Sequence, residues 1–187
     1  MIAAPSGCGK TTIAKAILVN HPDMLFSVSA TTRPKRTSEV EGKDHFFLTK
    51  EKFEEYLRNG DLAEWEEIYG NYYGTLKSEI DRALRQGHMM LFDIDVKGAL
   101  SIREHFQNDS ILIFIKPPSM EVLKKRLESR NTENLETLKR RLERVPMELE
   151  QGKHFDFQII NDDLQKAINE VDEIIQTKMK NSIQSHS

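Results

Sequence analysis

Ala4-Pro5-Ser6-Gly7-Cys8-Gly9-Lys10-Thr11, followed by Thr12, carries the residue types a phosphate-wrapping loop requires, and at the right spacing. Two glycines let successive backbone N–H groups curl around phosphate oxygens, and a helix starting near Thr11 turns its positive end towards them. Lys10 supplies a mobile point charge for the β- and γ-phosphates of a nucleoside triphosphate. The Thr11 hydroxyl is placed to ligate Mg²⁺. The pattern is G-x-x-x-x-G-K-[ST] except that Ala4 stands at the first glycine, a mild change where φ is negative. Cys8 is expected to matter through its backbone rather than its thiol. A competing reading, a flexible glycine turn before a helix, does not explain why loop, Lys-Thr pair and helix occur together.

Further along, Ser29-Ala30-Thr31-Thr32-Arg33-Pro34-Lys35-Arg36 sets two arginines three apart among hydroxyls. Guanidinium forks bind phosphate oxygens through paired charge-assisted hydrogen bonds, although such a segment standing alone could equally be a solvated basic loop. Glu64 lies among Leu62, Ala63 and Trp65. Asp93 ends the apolar run Met89 to Phe92. Arg126, Arg130, Lys139, Arg140, Arg141 and Arg144 form a third basic group.

These residues need a frame. The chain has 187 residues, 38% hydrophobic and 30% charged, with 27 basic and 30 acidic side chains and a net charge of −3. That length suits one compact unit with small inserted lobes. No run approaches the length of a spanning helix, so a membrane protein is not expected. The charge balance argues against nonspecific nucleic-acid binding. A single cysteine makes no intrachain disulfide, which fits a reducing cytoplasm.

Helices are read after the glycine loop (Ile13, Ala14, Ile17, Leu18), after Thr49, from Leu76 to Gly87, after Ser119, from Leu135 to Leu149 and from Leu164 to Ile175. Strands are read at Phe26–Ala30, Phe46–Leu48, Met89–Phe92, Ile111–Ile115 and Phe155–Ile160, and residues 62–74 as strand and loop. Only Met1 to Ala3 precede the glycine loop, which makes a short strand. Strands alternating with helices predict an α/β fold with a doubly wound parallel sheet. Residues 29–75 read as a small β-rich insertion and residues 125–150 as a charged helical one, leaving 1–28, 76–124 and 151–187 as the core.

Six segments, in order, resemble guanylate kinases: the glycine loop, Ser27-Val28-Ser29-Ala30-Thr31-Thr32-Arg33, Glu41-Gly42-Lys43-Asp44, Gly70-Asn71-Tyr72-Tyr73-Gly74, Asp93-Ile94-Asp95-Val96-Lys97-Gly98 and Asn161-Asp162-Asp163-Leu164. The resemblance runs from Ile2 to about Lys178. It implies a P-loop core and Mg²⁺-dependent transfer of the γ-phosphoryl group of ATP to GMP, by a cytoplasmic monomer or small homo-oligomer. It further implies that Ala4 to Thr12 and Asn161 bind ATP, and that Ser29, Arg33, Arg36 and Tyr73 hold the GMP phosphate within the 29–75 lobe. Glu64 and Thr75 read the guanine with Asp95 nearby, while Lys10, Arg33, Arg126, Arg130 and Arg141 act on the transferring group, the last three from a lid. Asp93, at the end of a buried strand, joins Thr11 at the metal. Two assignments keep a local alternative: Asp95 could cap the turn before Val96, and Asn161 the last helix.

The chemistry is consistent with this. Guanine presents N1–H and N2–H₂ side by side to one carboxylate, and adenine lacks that pair. A phosphate monoester is already largely dianionic at neutral pH, so the reaction needs alignment and positive charge rather than a general base. The sequence departs from the family pattern at His45, where many relatives carry a tyrosine. If His45 donates to the GMP phosphate, its own titration would make GMP affinity pH-sensitive; otherwise it points away. Two other readings are a catalytically dead phosphopeptide-binding module and a kinase for another small monophosphate. The intact Lys10 and Thr11 speak against the first, and the Ser29, Glu64, Tyr73 and Thr75 set against the second.

Overall fold

The computed structural model describes residues 1–37, 39–129 and 135–184. In chain order these form β1 (Ile2–Ala3), α1 (Lys10–Asn20), β2 (Leu25–Phe26), β3 (Ala30–Thr31), β4 (Phe46–Phe47), α2 (Lys50–Asn59), β5 (Leu62–Ile68) and β6 (Asn71–Leu76). There follow α3 (Lys77–Gln86), β7 (Met90–Leu91), α4 (Val96–His105), β8 (Ile113–Lys116), α5 (Met120–Ser129), α6 (Leu135–Gln151), β9 (Phe157–Ile160) and α7 (Leu164–Gln184). The fold is mixed α/β with parallel strands. It comprises two compact units, Met1–His21 with Ile111–Ser187, and Pro22–Ser110. Residues 22–28 and 76–110 thus pack with the β-rich segment.

In the first unit β8 lies between β1 and β9, all parallel, with Ile2 opposite Ile113 and Ile113 opposite Phe157. Ile113, Phe114 and Ile115 are buried, as a continuous apolar run covered on both faces should be. Helix α1 packs on α7, burying Ile13, Ala14 and Ile17 against a stripe that includes Ala167, Val171 and Ile175.

In the second unit β2 pairs in parallel with β7, and a four-stranded sheet runs β4-β3-β6-β5. The alternation read as one strand over Phe26–Ala30 is two. Ser27 N–H still donates to the Leu91 carbonyl, but β3 pairs with β4 and β6. Alternation marks an extended backbone without saying which sheet it joins. Residues 62–76 form a hairpin whose two-residue turn, Tyr69 (φ 53°) and Gly70 (φ 78°), has the left-handed pair that matches strand twist. Thr49 caps α2, its hydroxyl accepting from Lys52 N–H, and Gly60 (φ 71°) ends it. Phe53 from α2 fills the core beside Ala30 and Leu62.

Helix α4 was absent from the sequence reading. Its apolar stripe, Val96, Ala99 and Ile102, spans barely two turns, and Gly98 lowers its propensity. Asp95 supplies the start signal, its carboxylate accepting from Gly98 N–H at 2.8 Å.

Candidate functional site

The glycine loop joins β1 to α1. Gly7 (φ 89°) and Gly9 (φ 83°) both take left-handed backbone, and a side chain at either would strike a neighbour: Leu127 at 2.9 Å for Gly7, the Asn161 amide at 2.6 Å for Gly9. Gly9 is the N-cap of α1 and makes no side-chain cap hydrogen bond. The first-turn amides there suit phosphate oxygens. Lys10 begins the helix, and Thr11 and Thr12 follow on its exposed side. Ala4 is buried.

Three polar side chains brace this loop within its own unit. Asn161, 4% exposed, donates from Nδ2 to the Cys8 carbonyl at 2.8 Å, and its Oδ1 lacks a hydrogen-bond partner. Cys8 therefore acts through its carbonyl. Asn161 does not cap α7; Asp163 does so, accepting from Lys166 N–H at 2.7 Å. Arg126, in the last turn of α5, donates to the Asn161 carbonyl at 2.9 Å. Arg141, on α6, donates to Ser6 Oγ at 2.8 Å. The structure thus brings Ser6, Cys8, Arg126, Arg141 and Asn161 together around the loop, while Arg130 lies outside the described residues. Lys139 and Arg140 are exposed and face Glu143 and Glu136 on their own helix, as a solvated basic face would. Arg144 differs, lying against the buried Glu148 at 3.7 Å.

The second unit gathers the other candidates. Glu64 on β5 lies opposite Thr75 on β6, is 8% exposed and accepts from Thr75 Oγ1 at 2.7 Å. Burial lifts its carboxyl to about 7, the Thr75 hydrogen bond opposes the rise, and the Asp95 and Glu66 carboxylates add to it. Asp95 thus lies near Glu64 and caps α4, so the capping reading of it holds. Ser29 and Asp93 are half-buried.

Arg33 is engaged by a residue the sequence reading missed. Its NH1 and NH2 donate to the two carboxylate oxygens of Glu39 at 2.9 and 2.7 Å, and Arg36 N–H donates to Glu39 at 2.7 Å. The Arg33 hydrogen bonds pull the Glu39 carboxyl down to about 2, and Glu39 in turn holds Arg33 more firmly protonated, with Tyr73 adding to the effect. The guanidinium also lies over the Phe47 ring at 5.5 Å. The Arg36 side chain is exposed. A carboxylate three residues beyond Arg36 was the available signal for Glu39.

His45 is set edge-on to Phe47 and Tyr73, at 5.6 and 6.3 Å between ring centres. Burial and then the Arg33 charge push its pKa below the ordinary imidazole value, and its buried Nδ1 lacks a hydrogen-bond partner. Both effects disfavour the charged imidazole, whereas burial raises the Glu64 carboxyl to about 7.

Among the described residues no group of three or more His, Cys, Asp or Glu could hold a metal ion, and no helix is long and apolar enough to cross a membrane.

A family model for guanylate kinase matches residues 1–178. The chain is 50% identical over 171 residues to the guanylate kinase of Chlorobium luteolum, covering 91% of this chain and 87% of that protein. It is 40% identical over 185 residues to the guanylate kinase of Symbiobacterium thermophilum, covering 99% and 87%. The crystal structure of guanylate kinase from Anaplasma phagocytophilum superposes with a TM-score of 0.76 at 29% identity, covering 95% of this chain and 83% of that one.

Proposed function

The chain belongs to the guanylate kinase family, and on that premise we propose how its own residues phosphorylate GMP from ATP to give GDP and ADP. The glycine loop, from Ala4 to Thr12, holds the ATP phosphates on backbone amides, with Lys10 on the β- and γ-phosphates. Asn161 keeps the loop in shape through the Cys8 carbonyl and stands at the adenine end.

Arg33, Arg36, Ser29 and Tyr73 hold the GMP phosphate, with His45 as a neutral donor. Arg33 arrives already oriented by Glu39, which lowers the entropy lost when phosphate is engaged. Glu64, fixed by Thr75, accepts from guanine N1–H and N2–H₂. The observation that carries this reading is that buried, hydroxyl-anchored carboxylate. A carboxylate withdrawn from water gains much from a ligand with two adjacent donors and loses with one that has none.

No general base is required, because the acceptor phosphate is dianionic. The chain instead supplies positive charge against two polyanions: Lys10, Arg126 and Arg141 from the first unit, with Arg130, and Arg33 from the second. Residues 125–150 serve as the lid, residues 29–75 as the GMP lobe, and 1–28, 76–124 and 151–187 as the core. Thr11 and Asp93 would hold Mg²⁺, since a hydroxyl and a carboxylate suit the chemistry of an ion that keeps phosphate and water as most of its ligands. When bound it neutralises charge on the triphosphate. The protein works in the cytoplasm as a monomer or small homo-oligomer and engages neither nucleic acid nor membrane.

A coupled assay of ADP release tests the reading. GMP should support turnover and AMP should not, and Glu64→Ala should abolish the distinction. Retained guanine selectivity in Glu64→Ala would remove Glu64 from the site.

A further inference from the structure

We infer that Gly98, on α4, is a specificity-determining positioning residue: its missing side chain is the space that lets the Glu64 carboxylate sit where it can read guanine. This rests on the assignment of Glu64 as the base reader. Gly98 is not among the glycines with positive φ, so backbone conformation does not demand glycine there. Space does. A Cβ at position 98 would lie 2.6 Å from Glu64 Oε2 and 3.0 Å from its Cδ, well inside contact distance.

The surroundings decide which partner would yield. The first turn of α4 is fixed by Asp95, which accepts from Gly98 N–H at 2.8 Å. It is also tied to β5 by Lys97, whose ammonium lies 3.4 Å from Glu66. Glu66 follows Glu64 by two residues, on the same side of the strand. The Glu64 carboxylate is the far end of a flexible side chain, held on its other oxygen by the Thr75 hydroxyl. An added methyl therefore displaces the carboxylate by several tenths of an ångström and leaves the helix in place. Alanine is also a better helix residue than glycine. The fold is retained while the acceptor geometry for N1–H and N2–H₂ is lost.

The test compares Gly98→Ala, Glu64→Asp, Glu64→Ala and the Gly98→Ala/Glu64→Asp double variant, by steady-state kinetics with GMP and ATP and by thermal unfolding. Gly98→Ala should raise KM for GMP by about tenfold or more, as sub-ångström misplacement in a site does. Its KM for ATP and its Tm should stay near wild type. In the Glu64→Asp background, where the shorter side chain withdraws from position 98, the added methyl should cost at most about twofold more, the non-additivity of residues in contact. The inference is overturned by an unchanged KM for GMP in Gly98→Ala, by equal losses for GMP and ATP, by failure of Gly98→Ala to fold, or by the full penalty persisting in the Glu64→Asp background. Guanine selectivity surviving in Glu64→Ala would instead overturn the base-reading assignment itself; loss there with an unaffected Gly98→Ala would overturn only the role of Gly98.

Discussion

Around the glycine loop, side chains hold backbone and one another. Asn161 grips the Cys8 carbonyl, Arg126 grips the carbonyl of Asn161, and Arg141 reaches the Ser6 hydroxyl. Around Glu64 the arrangement is different: a carboxylate is withdrawn from water, anchored by Thr75 and crowded by the carboxylates of Asp95 and Glu66. In the proposed function the first region serves a ligand group that every nucleoside triphosphate shares, so main-chain amides suffice and side chains are left to shape the loop. In the same proposal the second tells one base from another, with a poorly solvated charge whose hydrogen bonds the ligand would complete. Shape is preorganised in the first unit and electrostatic tension is stored in the second.

Four measurements would break or sharpen that contrast. The largest effect belongs to the first unit. Arg141→Met should lower kcat by about 10³-fold or more, in the range of arginines that stabilise transferring phosphoryl groups, while the Kd of GMP measured by calorimetry changes little. Near-normal turnover would show that Arg141 only braces Ser6.

Next comes pH. Glu64 must be ionised to accept from guanine, and its carboxyl titrates at about 7 in the unliganded protein. Below that value kcat/KM for GMP should fall by about tenfold per pH unit until the Asp/Glu-like range is reached. ATP affinity at the glycine loop should fall far less over about pH 5.5–7, and His45→Phe should leave the GMP profile in place. A GMP profile flat from about pH 6 to 8 would show that Glu64 is not the base reader.

Stability gives the third. The folded-state pKa of Glu64 is raised from 4.5 to about 7, so the folded protein binds the proton more tightly than the unfolded chain. Stability from this group is fully present below pH 4.5 and is lost as pH rises through about 7. Glu64→Gln removes the buried charge, and should stabilise the unliganded protein at about pH 8 by about 1–3 kcal/mol, a gain that shrinks towards zero at about pH 5. Denaturant melts at the two pH values measure it. A destabilised variant at the higher pH would mean that Glu64 contributes to the fold as a carboxylate. The smallest effect is a control: Lys139→Ala, on an exposed face opposite Glu143, should leave both kcat and Tm within error.

Much of the first unit was legible because its signals are local. Gly7, Gly9 and Lys10 lie within a few residues of one another, and α5 opens at Ser119, whose hydroxyl accepts from Val122 N–H as the sequence predicts. Helix α4 was not legible, since a stripe of three apolar residues containing a glycine looks no more helical than a loop. The engagement of Arg33 by Glu39 was missed for a different reason: the carboxylate three residues beyond Arg36 hinted at a local contact, but its partner lies six residues away, a spacing with no period. The sequence shows Arg144 only as one of a basic group; α6 places it against a buried carboxylate, Glu148.

What the amino-acid order determined by itself was the phosphate-binding loop, the alternation of strands and helices, and the sequence of motifs that marks a nucleotide kinase. These follow from spacing along one stretch of backbone. Only tertiary structure decided that Glu64 is desolvated with its carboxyl raised to about 7, that burial lowers the His45 pKa, and that Gly98 lies against the Glu64 carboxylate. Each depends on which side chains from distant segments share a few cubic ångströms, and desolvation and exclusion act on that shared volume rather than on distance along the chain.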